Sequence, residues 1–130
     1  MKTLILLSIT FASLTFGKEG FQLIQTKELD TWLNSETKPA VFDANNEKVR
    51  KEYGAIPGAK LLESSSKYNV ETELPKDKAT QLVFYCANKK CTASHNAADR
   101  AIENGYPKVA VFSDGIQGWV KAGKKTTKVE

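Results

Sequence analysis

Cys86 and Cys91, the chain's two cysteines, stand five residues apart with Lys89 and Lys90 between them. A cysteine attacks as its thiolate, and positive charge or a helix N-terminus beside it lowers its pKa. A bridge between two cysteines so close in sequence closes only a tiny loop, and a domain of this size does not depend on such a staple. The clustering therefore points to chemistry rather than scaffolding, with Cys86 as the nucleophile. Cys91 is either a redox partner for Cys86 or a small residue filling a helix start. A structural zinc site takes about four ligands; Cys86, Cys91 and His95 supply three at poor spacing, so no metal is expected. The run C-A-N-K-K-C-T-A-S-H also lacks the C-x-x-C-H pattern of haem attachment, and no cofactor is expected.

Alternating strands and helices must position these residues. Phe21 to Ile24 reads as a short strand, and Thr26 as the N-cap of a helix carrying Leu29, Trp32 and Leu33. Pro39 stops that helix, and Ala40 to Phe42 form a buried strand ending at Asp43. Asn45 or Asn46 can cap a short helix with Val49 and Tyr53 on one face, closed by Gly54. After the Ile56-Pro57-Gly58 turn comes a brief strand at Lys60 to Leu62, then a polar stretch from Glu63 to Thr80 read as loop with a helical turn. Gln81 to Tyr85 is the clearest strand and runs straight into Cys86. Thr92 or Ser94 can cap the next helix, with Ala93, Ala97, Ala98, Ala101 and Ile102 facing inward and Gly105 as its stop. Val109 to Phe112 is another apolar strand, followed by a turn at Ser113-Asp114-Gly115 and a last short helix around Trp119. Strands apolar on both faces, separated by helices, imply an α/β fold: a parallel sheet of about five strands with helices on both faces.

In such sheets ligands bind beyond the carboxyl ends of the strands, which is where Cys86 falls. The loop Ala87, Asn88, Lys89, Lys90, Cys91, Thr92 must curl over it, and its N–H groups together with the helix N-terminus can hold an anion or a thiolate. Lys89 and Lys90 add positive charge there, either turned inward toward a bound anion or solvated. His95 is expected on the exposed first turn of the helix. Asp43 reads as a strand-end structural residue that caps a neighbouring loop, and Trp32 and Trp119 read as packing residues.

The N-terminus carries a different signal. Met1-Lys2, the nearly uncharged apolar run from Thr3 to Phe16 and the polar start at Lys18-Glu19 have the order of a secretory signal peptide. Thr15 and Gly17 are small residues suited to cleavage after residue 17, and the run is short against the roughly 20 apolar residues of a membrane span. The alternative is an uncleaved anchor. Residues 1–17 are thus expected to be removed and 18–130 to form one domain in the periplasm or outside the cell, with no stable membrane association. Loss of Lys2 takes the net charge from +4 to +3. That mild balance gives no nucleic-acid footprint, and the Lys121, Lys124, Lys125, Lys128 cluster reads as a solvated tail.

Tyr85-Cys86 through Gly105-Tyr106 resembles the active-site strand, loop and helix of the single-domain rhodanese-like sulfurtransferases. Asp43 after its apolar strand, Gly54-Ala55-Ile56-Pro57-Gly58-Ala59, and Gly115-Ile116-Gln117-Gly118-Trp119 resemble three further landmarks of that family, in the same order. The similarity extends from about Phe21 to Gly123. It implies an enzyme in which the Cys86 thiolate takes the outer sulfur of a small donor anion such as thiosulfate and holds it as a persulfide. A thiol or cyanide then accepts the sulfur, while the N–H groups of residues 87–92 hold the persulfide charge. One departure stands out: many family loops carry arginine five positions after the nucleophile, and this chain has Cys91. A thiol cannot replace a bidentate guanidinium on an oxyanion. The alternatives to a sulfurtransferase are a thiol–disulfide redox protein using Cys86 and Cys91, or a non-catalytic binding module. A cysteine phosphatase would need arginine where Thr92 stands.

Overall fold

The computed structural model describes residues 20–130, so the expected signal segment lies outside the described residues. Ten elements follow in chain order: β1 (Gln22–Ile24), α1 (Thr26–Leu33), β2 (Ala40–Asp43), α2 (Glu47–Tyr53), β3 (Lys60–Leu61), α3 (Val70–Glu73), β4 (Leu82–Tyr85), α4 (Ala93–Glu103), β5 (Val109–Phe112) and α5 (Gly115–Lys121). The strands form one sheet in the order β1-β5-β4-β2-β3, every pairing parallel. The expected α/β architecture is therefore present.

Period-two alternation sends neighbouring side chains to opposite faces of the sheet. Leu82 and Phe84 of β4 join Phe42, Tyr68 and the alanines of α4 in one core. Val83 and Tyr85 join Leu29 of α1 and Ile116 and Trp119 of α5 in the other. All four β4 residues are buried, which is why that strand reads as a continuous apolar run. Asp43 pairs in register with Tyr85, and Tyr85 with Phe112. The carboxyl ends of three adjacent strands thus lie level, with Cys86 one residue beyond the central one.

One local expectation needs correction. Gln25, not Thr26, occupies the N-cap of α1; the Thr26 N–H and hydroxyl both donate to Asp114 Oδ2, at 3.0 and 2.9 Å. On α4 the expected Ala97, Ala98 and Ala101 are buried and Ala93 and Ile102 pack half-buried against the same core, joined on that stripe by the buried Ser94. Of the tail lysines, Lys121, Lys125 and Lys128 are exposed as expected, while the tail backbone is docked: Thr127 bridges Ala55, Lys124 pairs with Asp30 at 3.0 Å, and the Trp119 indole N–H donates to the Lys125 carbonyl. Asn46 caps α2 as expected, accepting from the Val49 N–H.

Candidate active site

The Cys86 backbone is gripped from both sides. The Tyr85 carbonyl accepts from Ala44 N–H beyond β2, and the Cys86 and Ala87 carbonyls accept from Ile116 and Gln117 N–H at the start of α5, at 2.9 and 3.0 Å. Gly115 makes that approach possible. Its φ is +67°, and a Cβ there would lie 2.5 Å from the Ala87 carbonyl carbon. The glycine of the closing motif thus lets α5 press against the cysteine loop.

Beneath the loop, Asp43 is fully buried and accepts from three donors: the Asn45 N–H at 2.8 Å, the Arg50 Nε at 3.2 Å and the Tyr85 hydroxyl at 2.7 Å. The Arg50 guanidinium also donates to the Asp43 and Leu62 carbonyls. Tyr85 in turn accepts from Ile56 N–H. Burial, reinforced by the Asp43 carboxylate, pushes the Tyr85 phenol far above the ordinary tyrosine range. This network ties the ends of β2, β3 and β4 together. Asp43 has the structural, loop-capping role expected of it.

Cys86 is 2% exposed and bonded to Cys91 as a disulfide, with Cα atoms 6.3 Å apart. The loop therefore curls over Cys86 and returns to it. Ser94 Oγ lies 3.2 Å from Cys86 Sγ. A disulfide sulfur carries no proton, so here the hydroxyl donates. Two N–H groups expected to hold an anion are instead used within the loop: Lys90 donates to Asn88 Oδ1 and Cys91 to the Asn88 carbonyl. Thr92 is the N-cap of α4, but its side chain makes no capping bond.

Lys89 and Lys90 are exposed. Lys89 reaches Asp114 at 3.6 Å, and both lysines line a surface pocket of about 640 Å³ with Asn88, Asp114 and Lys121. On the other side of the loop Cys91 lines a cleft of about 410 Å³ with Ala87, Ala93, Asn45, Ser64 and Ser65. This cleft opens between β2 and β4, whose following helices, α2 and α4, go to opposite faces of the sheet. It is the place where open α/β sheets bind ligands. Asn45 Nδ2 is buried at its edge without a hydrogen-bond partner among the described residues. His95 is half-buried, not exposed as expected, and meets Phe21 edge-on at 5.0 Å. Trp119 packs in the core and Trp32 packs half-buried against it, both packing residues as expected.

Ser94 and Asn45 were visible in the sequence only as candidate helix caps. A signal for Ser94 existed: it lies three, four and seven residues before Ala97, Ala98 and Ala101, on the same inward stripe.

Comparison with known proteins gives the same architecture. No curated protein matches the chain. Among solved structures, the BH2092 protein of Bacillus halodurans is similar at 21% identity, with 85% of this chain and 79% of that one covered and a TM-score of 0.70. A thiosulfate sulfurtransferase from Pseudomonas aeruginosa is similar at 22% identity and a TM-score of 0.69, over 85% of this chain but 21% of that one. The polysulfide-sulfur transferase homodimer of Wolinella succinogenes is similar at 17% identity and a TM-score of 0.68, over 87% and 82%. At these identities the likeness carries the fold alone. The model of the rhodanese-like domain, however, matches residues 25–122, from the N-cap of α1 to the end of α5. With that match over most of its length, this chain belongs to the rhodanese-like domain family.

Proposed function

We propose that this protein is an exported sulfurtransferase, working in the periplasm or outside the cell, that carries sulfane sulfur as a persulfide on Cys86. The observation behind this reading is the placement of Cys86 one residue beyond the central strand, under a loop that leads into α4. The reduced Cys86 thiolate would attack the outer sulfur of a small anion such as thiosulfate, expelling sulfite. A thiol or cyanide would then take the sulfur, each half being a displacement at sulfur controlled by thiolate fraction and access. Ser94 supplies a hydroxyl donor to the Cys86 sulfur. The exposed Lys89 and Lys90 supply positive charge at the loop, without the bidentate grip of an arginine. Thiocyanate formation from thiosulfate and cyanide tests the reading. Pre-reduced Cys91→Ser protein, which cannot close the disulfide, should turn over, whereas Cys86→Ser and wild-type protein oxidised at Cys86 should not; turnover by Cys86→Ser would refute the assignment.

The Cys86–Cys91 bond favours a second reading, a dithiol–disulfide exchange protein on the same scaffold. That reading expects a reversible bond with a potential in the range of catalytic disulfides, and no sulfur retained on Cys86 from any donor. Equilibration with glutathione buffers, followed by thiol counting, measures the first. Mass measurement of Cys91→Ser protein after donor addition, where no internal discharge occurs, decides the second.

A further inference from the structure

Cys91 stands where sulfur on Cys86 can be expelled without an outside acceptor. We infer that Cys91 is a resolving cysteine, which displaces the sulfur carried on Cys86 and releases it as hydrogen sulfide. The inference rests on the persulfide reading above and names the fate of the sulfur.

Three observations carry it. The bond between the two residues, with their Cα atoms 6.3 Å apart, means that Cys91 Sγ reaches Cys86 Sγ itself, the inner sulfur of a persulfide formed there. Cys86 is 2% exposed while Cys91 is half-buried, so the inner sulfur is within reach of the internal thiol and shielded from outside nucleophiles, which meet the outer sulfur instead. The loop between them is short and anchored: the Cys86 and Ala87 carbonyls accept from α5, and the Cys91 N–H turns back to the Asn88 carbonyl. Holding nucleophile and target on one anchored loop makes the step intramolecular and raises its effective molarity.

In that step Cys91 Sγ attacks Cys86 Sγ and the bond from Cys86 Sγ to the outer sulfur breaks. The outer sulfur leaves as HS⁻ with its own proton and takes up the proton given up by the Cys91 thiol. A persulfide plus a thiol becomes a disulfide plus hydrogen sulfide. The sulfane sulfur gains two electrons, and the two cysteine sulfurs together lose them. The bond held in the structure is the one this step makes.

Return to the dithiol needs two electrons from a reducing thiol or dithiol. The cleft beside Asn45, Ser64 and Ser65 gives such a thiol a path to the Cys91 sulfur. Attack there forms a mixed disulfide on Cys91 and leaves Cys86 as a thiolate next to the Ser94 hydroxyl. A second thiol group releases Cys91. The protein would thus sit between a reaction that supplies sulfane sulfur and one that supplies reduced dithiol.

The test uses the full chain, reduced and freed of reductant, mixed with thiosulfate or benzenethiosulfonate and no acceptor. Sulfide release and intact mass are followed together. Wild-type protein should release about one sulfide per chain and end as the disulfide, with no sulfur retained. Cys91→Ser and Cys91→Ala should retain the sulfur on Cys86 and release sulfide slower by about tenfold or more, as expected when an intramolecular nucleophile is lost. Retention of the sulfur by wild-type protein with Cys91 still open to alkylation would overturn the inference, as would equal sulfide release by the variants. No sulfur on either Cys91 variant with both donors would overturn the persulfide reading, and the inference with it.

Discussion

The Ser94 hydroxyl lies 3.2 Å from Cys86 Sγ and is held there by the same stripe of α4 that buries Ala97, Ala98 and Ala101 against the sheet. Packing of the helix therefore places a hydrogen-bond donor on the nucleophile. A bond to a charged group is worth about 1.5–3 kcal/mol, and one pKa unit corresponds to about 1.36 kcal/mol. In reduced protein, Ser94→Ala should therefore shift Cys86 alkylation to higher pH. The pH profile of Cys86 alkylation in a Cys91→Ser background reads this directly. An unmoved midpoint would mean that the hydroxyl does not serve the thiolate.

Tyr85 joins Asp43 and Ile56 through one buried oxygen. Removing that oxygen strips a donor from a buried carboxylate and an acceptor from a buried N–H. Tyr85→Phe should cost about 2–3 kcal/mol, measured by urea denaturation of the oxidised protein, while the sheet persists by circular dichroism.

Alkaline titration gives a further check on the same residue. Burial raises the phenol pKa of both Tyr85 and Tyr68 far above the ordinary value, helped at Tyr85 by Asp43 and opposed at Tyr68 by Arg100. The folded protein keeps these protons while the unfolded chain loses them near pH 10. The stability they contribute is fully present below about pH 10 and falls as the pH rises toward the folded values. Unfolding free energy measured between about pH 9 and 11.5 should decline, and Tyr85→Phe should flatten the decline by one tyrosine proton. An equal slope in the variant would contradict the burial argument.

Gly115 is required by contact as well as by its φ of +67°. In Gly115→Ala the new methyl meets the Ala87 carbonyl and must push α5 away from the cysteine loop. Strain and overpacking should cost about 2–4 kcal/mol. The loop anchors made by Ile116 and Gln117 should loosen, seen as faster amide hydrogen exchange at those two N–H groups. Gly123, with no atom within 4 Å of a Cβ, should lose only the cost of its positive φ on the same change.

The architecture was readable because its signals are local. The β4 run Leu82 to Tyr85, the Asn46 cap and the Gly54 and Gly105 stops each depend on residues within one or two turns of chain. The same holds for the placement of Cys86 at a strand end before a helix. What escaped depends on distant pairing. Thr26 looked like a cap, yet its hydroxyl serves Asp114, 88 residues away, a contact set by how α1 and α5 share one face of the sheet. The docking of the tail backbone was hidden because Thr127 meets Ala55 only after α5 has turned the chain back. Arg50 showed no role in sequence, although it closes the charge of Asp43. The Cys86–Cys91 bond was open for a similar reason. Five residues can span many distances, and the loop path that brings the Cα atoms to 6.3 Å follows from anchors on α5.

The central claim is that Cys86 carries sulfur, and mass spectrometry of the reduced Cys91→Ser protein after one addition of donor tests it most directly. Removing Cys91 blocks both the disulfide and any internal discharge, so a persulfide made at Cys86 should persist. The predicted result is a gain of one sulfur atom, mapped by fragmentation to the peptide containing Cys86, removed by cyanide and absent from Cys86→Ser. An unchanged mass with thiosulfate and benzenethiosulfonate, in protein whose Cys86 still alkylates, would contradict it.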